Sequence, residues 1–189
     1  MNLKELTWEN HKSAERKKFA SVLMSGKITP ELYYRYLTNQ FYMYNILEAR
    51  LRNLVPELGS TDVFRAEAIR CDMQELEEEH GFVFDPRQLS TVTSEYANHI
   101  ENLMLNEDVD GLIAHMYVRH FGDMYGGAMI AKRVPGSGKM YQFEDKEDLK
   151  VHLRGLLNDD MADEANRCFE YAIRLFEELG DYASLGSSD

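Results

Sequence analysis

Almost every stretch of the chain repeats its apolar residues at the three- and four-residue spacing of a helix, not at the alternation of a strand. Glycine and proline fall between these runs and mark their ends. Thr7 is an N-cap for a first predicted helix that reaches Gly26. Thr29-Pro30-Glu31 starts a second, which ends near Val55, ahead of Pro56 and Gly59. Further helices are predicted over Asp62 to His80, Thr91 to Asn106, Gly111 to Val134, Asp145 to Asn158 and Asp160 to Leu179, with Pro135 to Phe143 as a loop. No internal repeat or linker divides the chain. The expectation is all-α, a single-domain helical bundle over residues 1–182, with residues 183–189 as a flexible tail. At 189 residues the chain can bury roughly 70% of its unfolded surface, enough for a real core.

Charge and cysteine content remove whole classes of function. With 21 Lys and Arg against 33 Asp and Glu the net charge is −12, so nucleic acid is not expected as a partner, since that affinity rests on neutralising phosphates. Cys71 and Cys168 stand far apart in no paired spacing, which argues against a disulfide scaffold and a structural zinc site. No apolar run is long enough to span a bilayer, and the charged segment MNLKELTWENHKSAERKK has no signal-peptide core. No membrane association and a cytoplasmic location are expected.

Two segments carry chemistry. On a helical wheel His11 shares an arc with Trp8, Ala14, Phe19, Val22 and Leu23, and also with Lys4 and Glu15. A lone histidine on an apolar face is usually a satisfied core residue. A purely apolar contact surface here would also bury two charges, at a cost nothing repays. An imidazole, an ammonium and a carboxylate among apolar groups suit a pocket for an amphipathic ligand, and neutral imidazole is a common haem iron ligand. The second segment is Gly122-Asp123-Met124-Tyr125-Gly126-Gly127. Each interior glycine weakens a helix by about 1 kcal/mol, so three weaken it by roughly 3 kcal/mol. A helix end or turn is the commoner outcome of such a cluster. The apolar pattern resumes at once with Ala128, Met129, Ile130 and Ala131, which reads as a kinked helix whose bare backbone can lie against a flat ligand.

HKSAE (His11 to Glu15), with Lys4 before it, and YVRHFGDMYGG (Tyr117 to Gly127) resemble the haem oxygenase family, with its H-x-x-A-E proximal segment and Y-x-R-x-x-G-D-x-x-G-G distal segment. Lys150 to Arg154 is similar to the family's basic K-x-x-x-R pair, and LFEEL (Leu175 to Leu179) to its last helix. The resemblance covers most of the chain and is weakest over Val55 to Asn106. It implies haem held between a proximal and a kinked distal helix. His11 would ligate the iron, with Glu15 hydrogen-bonding near it. Gly122 and Gly126 would place backbone against the haem, and Asp123 would anchor a water network that supplies protons. Lys4, Lys150 and Arg154 would meet the propionates, with Tyr117 at the same edge. Arg119 would join the distal hydrogen bonds, and Phe169 would form a pocket wall.

The resemblance further implies a soluble, biliverdin-producing enzyme for which haem is both cofactor and substrate. Its partners would be dioxygen, an acidic electron donor such as ferredoxin, and a downstream bilin reductase. Trp8 departs from the pattern, standing where the family often has a second lysine. Lys4, Lys12, Arg16, Lys17, Lys18, Lys132, Arg133, Lys139, Lys150 and Arg154 are expected to ring the haem mouth; such charges elsewhere are ordinary solubilising surface. Two other readings stay open. A haem carrier or sensor would need neither Asp123 nor the glycine kink. A di-iron carboxylate protein would need two Glu-x-x-His units, and only Glu77 to His80 supplies one. His115 and His120, five residues apart, fall on different helix faces and are not read as a metal pair.

Overall fold

The computed structural model describes residues 2–185, and among them there are helices and no strands. The elements are α1 (Leu3–Leu6), α2 (Trp8–Glu15), α3 (Lys18–Met24), α4 (Pro30–Leu54), α5 (Ala66–His80), α6 (Thr91–Leu105), α7 (Val109–Met116), α8 (Gly122–Ala131), α9 (Lys146–Arg154) and α10 (Ala162–Leu185). The expected all-α architecture is what the sequence folds into.

Helix α4 is the spine, packing on α5, α6, α7 and α10. Its start needs nothing distant: the Thr29 side chain accepts from the Leu32 amide and Pro30 occupies the first turn. Its apolar and aromatic face, including Tyr33, Tyr36, Leu37, Met43, Tyr44, Leu47 and Leu51, is buried. Helix α10 contributes Ala165, Cys168, Leu175 and Leu179 to the same core.

Three differences from the sequence expectation bear on the site. The single helix predicted from Thr7 to Gly26 is three helices. Thr7 closes α1, and its hydroxyl bonds the Leu3 carbonyl at 2.9 Å. Lys17 then adopts extended backbone (φ −67°, ψ 146°) inside the cationic run Arg16-Lys17-Lys18. That break lets α3 turn Phe19 and Leu23 fully into the core while α2 packs on α10. Asn166 of α10 supports the first break by donating to the Leu6 carbonyl at 3.2 Å and accepting from Asn10 at 2.9 Å. A wheel drawn over one continuous helix therefore misplaces Lys4, which is exposed on α1.

The second difference concerns the glycine segment. The irregularity precedes the glycines, as a π-helical turn over Tyr117–Phe121, and α8 then runs as regular helix through Gly122, Gly126 and Gly127. A wide turn of this type is a recognised cause of helix bending. The third lies at the C-terminus, where α10 continues through Leu185. The first residues of the expected tail are thus helical, and residues 186–189 lie outside the described part.

Candidate functional site

Helical spacing puts Gly122, Tyr125, Gly126 and Met129 on one face of α8. That face is apolar and uncovered. Tyr125 and Met129 are 56% and 55% exposed, and a Cβ added to Gly122 or Gly126 would meet nothing within 4 Å. The opposite face, with Asp123, Met124 and Gly127, is buried. Gly127 does a different job from its neighbours, because a Cβ there would fall 2.8 Å from Cβ of Tyr141. The three glycines therefore separate into two that keep a flat surface open and one that admits a packing neighbour.

This separation gives a first testable expectation. Gly127→Ala should lower the melting temperature, since overpacking costs about 1–3 kcal/mol against about 1 kcal/mol gained in helix propensity. Gly126→Ala should raise it slightly while weakening ligand binding. Thermal unfolding of the two ligand-free variants checks this, and shifts of the same sign would refute the division of roles.

The N-terminal helices are tied to the segments just before and just after α8. Tyr117, half-buried, has its hydroxyl engaged by the Thr7 side chain, and Arg133 donates to the Met24 carbonyl at 2.6 Å. Helix α3 packs on α8. In α2, Trp8 stacks on His11 at 5.5 Å and Phe169 of α10 meets the imidazole edge-on at 5.9 Å. His11 Nε2 lies 3.6 Å from the Glu15 carboxylate, too long for a hydrogen bond but close enough to orient the ring. Its Nδ1 is buried with no hydrogen-bond partner. A carboxylate beside one ring nitrogen and nothing at the other is an arrangement suited to a metal ligand.

At the far side, α9 brings two cations onto Tyr125. Lys150, itself buried, has its ammonium 4.2 Å from the ring centre and 2.8 Å from Glu147, and Arg154 bonds the Tyr125 hydroxyl. Tyr125 thus covers the pair of cations that the sequence assigned to anionic groups of a ligand. Lys4 is exposed on α1.

Behind the open face lies a polar layer. Tyr44 of α4 donates to Asp123 Oδ2 at 2.5 Å. Burial pushes the Asp123 carboxyl up to about 7, against the lowering pull of Tyr44 and Arg119. Arg119 is buried and hands its donors to Tyr96 (3.0 Å), Gln40 (3.1 Å) and the Met43 sulfur (3.0 Å). All three contacts are neutral protein groups, so Arg119 orders the wall behind Asp123. Tyr44, Tyr96, Gln40 and Tyr125 were not singled out as site residues from the sequence. Aromatic residues at helical spacing along α4 are what core packing alone would require, and the partners of their hydroxyls lie far along the chain.

The "Heme oxygenase" family model matches residues 1–178. The chain belongs to the haem oxygenase family. The heme oxygenase 2 of Oryctolagus cuniculus is 28% identical, over 99% of this chain and 68% of that protein. The chain spans about two thirds of the length of the mammalian relatives it matches. The heme oxygenase of the alga Porphyra purpurea is 25% identical, over 94% of this chain and 84% of that protein. The solved heme oxygenase of Leptospira interrogans superposes with a TM-score of 0.79 at 27% identity, covering 94% of this chain and all of that one. The haem oxygenase resemblance read from the motifs is therefore sound.

The di-iron reading has no support in the geometry. Glu77 is taken by Arg70 and Tyr34, and neither it nor His80 belongs to any cluster of metal donors among the described residues.

Proposed function

We propose that this haem oxygenase family member opens haem to biliverdin with release of carbon monoxide and ferrous iron, with His11 as the iron ligand. The observation that carries the reading is the uncovered α8 face of Gly122, Tyr125, Gly126 and Met129, together with the unpartnered buried nitrogen of His11. Haem is flat, apolar and edged by two carboxylates, and the chain offers a flat face, an imidazole and the cations Lys150 and Arg154. Bound haem supplies the iron that binds dioxygen and the porphyrin edge that is oxidised.

The residues do the rest. Gly122 and Gly126 keep side chains away from the reacting face, so backbone and water can approach it. Asp123 gives one oxygen to Tyr44 and, in this reading, offers the other to a water that carries protons. A carboxyl held near 7 can both release and recover a proton at neutral pH. Arg119 fixes Tyr96 and Gln40 and holds this layer rigid. Binding requires Tyr125 to yield Lys150 and Arg154 to the propionates, with Lys4 and Tyr117 at the same edge. Trp8 stacks on His11 in place of the lysine common there, which leaves propionate anchoring to these groups.

A carrier or sensor has no need of the buried Asp123 and Tyr44 pair, and this favours the enzyme. Adding haemin and then a reductant separates the two. The enzyme reading expects the Soret band to give way to a bilin spectrum, whereas a stable Soret band under reductant and air would establish a carrier.

Electrons arrive from outside, in this reading from an acidic protein such as a ferredoxin, and a bilin reductase takes the product. No helix among the described residues is long and apolar enough to cross a membrane, and the reading places the enzyme in the cytoplasm. The basic ring is narrower than the sequence indicated. Lys12, Lys17 and Lys150 are paired with Glu9, Glu177 and Glu147, and Lys139 lines a separate cleft with Asp62 and Arg65. Lys4, Arg16, Lys18, Lys132, Arg133 and Arg154 are exposed without an ion pair among the described residues, with Lys18 bonded to the Ser184 hydroxyl and Arg133 to the Met24 carbonyl. Exposed charges act over about 8 Å at physiological ionic strength, so local attraction can outweigh the distant −12. Turnover with ferredoxin should fall as salt rises and slow further in Arg16→Glu/Lys132→Glu, while a small neutral reductant should respond to neither. Equal salt responses with both donors would place the docking surface elsewhere.

A further inference from the structure

We propose that His99, His115 and Glu164 form a second metal site, for a divalent ion of the zinc class, separate from the haem face. The three residues come from α6, α7 and the first turn of α10, and their ligand atoms all lie within 4.8 Å of one another. Both imidazoles aim Nε2 at the same carboxylate oxygen: Glu164 Oε2 is 2.8 Å from His99 and 3.1 Å from His115. Two nitrogens and one oxygen match the donor sets that zinc takes, and they leave a fourth position for water.

The fit requires small movements only. Ligands at the usual zinc distances stand about 3.4 Å apart in a tetrahedral site, so the two shortest separations must open by roughly half an ångström. His99 and Glu164 can make that adjustment, with side chains 14% and 20% exposed, and they give an ion its way in. His115 is fully enclosed and supplies the fixed corner.

The surroundings already orient the ligands. His115 Nδ1 lies 3.2 Å from the Tyr96 hydroxyl, and Arg167 holds the other oxygen of Glu164 at 3.3 Å. Metal-binding imidazoles and carboxylates are commonly fixed by such outer partners. With Nε2 on the ion, the ring proton of His115 resides on Nδ1 and is donated to Tyr96. Sequence spacing pointed away from His115 and His120 as a pair, and His120 indeed turns to Glu48 at 2.9 Å. The partners of His115 sit on other helices, where spacing along one helix gives no sign of them.

Competition between the purified protein and a chromophoric zinc chelator tests the site directly. One zinc ion per chain should bind tightly, and cobalt(II) in its place should show visible ligand-field bands. His99→Ala should weaken zinc by at least about ten-fold, and so should Glu164→Gln, which keeps the side chain's size and provides the reading if His99→Ala fails to fold. His11→Ala should leave zinc binding unchanged, which separates this site from the haem face. Absence of stoichiometric zinc binding, affinity unaltered in a folded His99→Ala or Glu164→Gln protein, or binding lost in His11→Ala would overturn the proposal and leave the cluster a hydrogen-bonded hub.

Discussion

His11→Ala should abolish the histidine-ligated haem spectrum and weaken haem binding by at least 10–100-fold, roughly the loss seen when even the outer partners of metal ligands are removed. Availability of a ring nitrogen singles out His11. His115 is fully enclosed against Glu164 and Tyr96, and His120 is fully enclosed against Glu48. His11 keeps a buried nitrogen with no hydrogen-bond partner. Some haem should still enter, because Gly122, Gly126, Phe169, Lys150 and Arg154 are untouched, but it should lack a protein imidazole on iron. Added imidazole should restore part of the spectrum. An unaltered spectrum in His11→Ala, with ligation lost instead on changing His115 or His120, would contradict the assignment.

Asp123→Ala should bind haem nearly normally yet lose turnover by about 10²–10⁴-fold, the range for a positioned proton-transfer group. Asp123→Asn keeps an acceptor for the Tyr44 hydroxyl and removes the titratable proton, so it separates geometry from proton supply. If proton supply is what matters, Asn should be almost as impaired as Ala. The same pair reads out in stability. The Asp123 carboxyl titrates at about 7 in the folded chain against an ordinary 3.8. Between those values the folded protein holds a proton that the unfolded chain has released. The stability this contributes is present in full below pH 4 and is lost as pH rises through 7, by up to about 4 kcal/mol for a three-unit difference. Wild type should therefore lose stability relative to Asp123→Asn between pH 4 and pH 8. A constant difference in melting temperature across that range would show that Asp123 is ionised throughout.

The parts of this molecule that depend on near neighbours were open to reading from the sequence. The N-cap of α4, the stop at Gly81 in left-handed backbone (φ +71°) and the His11 and Asp123 motifs all lie within a few residues of the signals that announce them. What was hidden depends on contacts between distant segments. Lys17 is extended because α2 and α3 turn toward different partners, and nothing within the cationic run specifies that break. Gly127 looks like Gly122 and Gly126 in sequence, and only Tyr141, arriving from the following loop, distinguishes it. Tyr44 and Asp123 are 79 positions apart, so the pairing that gives Asp123 its setting has no local trace. Tyr125 lies inside the recognised motif, yet its contact with Lys150 and Arg154 depends on where α9 packs.

The central claim is that the chain opens the haem ring under control, and the carbon monoxide released in a single reductive turnover measures this most directly. Haem bound to the protein is reduced in air, and carbon monoxide is trapped on added ferrous myoglobin while catalase removes free peroxide. The account expects carbon monoxide one for one with haem consumed, together with biliverdin, and little of either from Asp123→Ala. Haem that disappears without carbon monoxide, or that survives reduction unchanged, would contradict it.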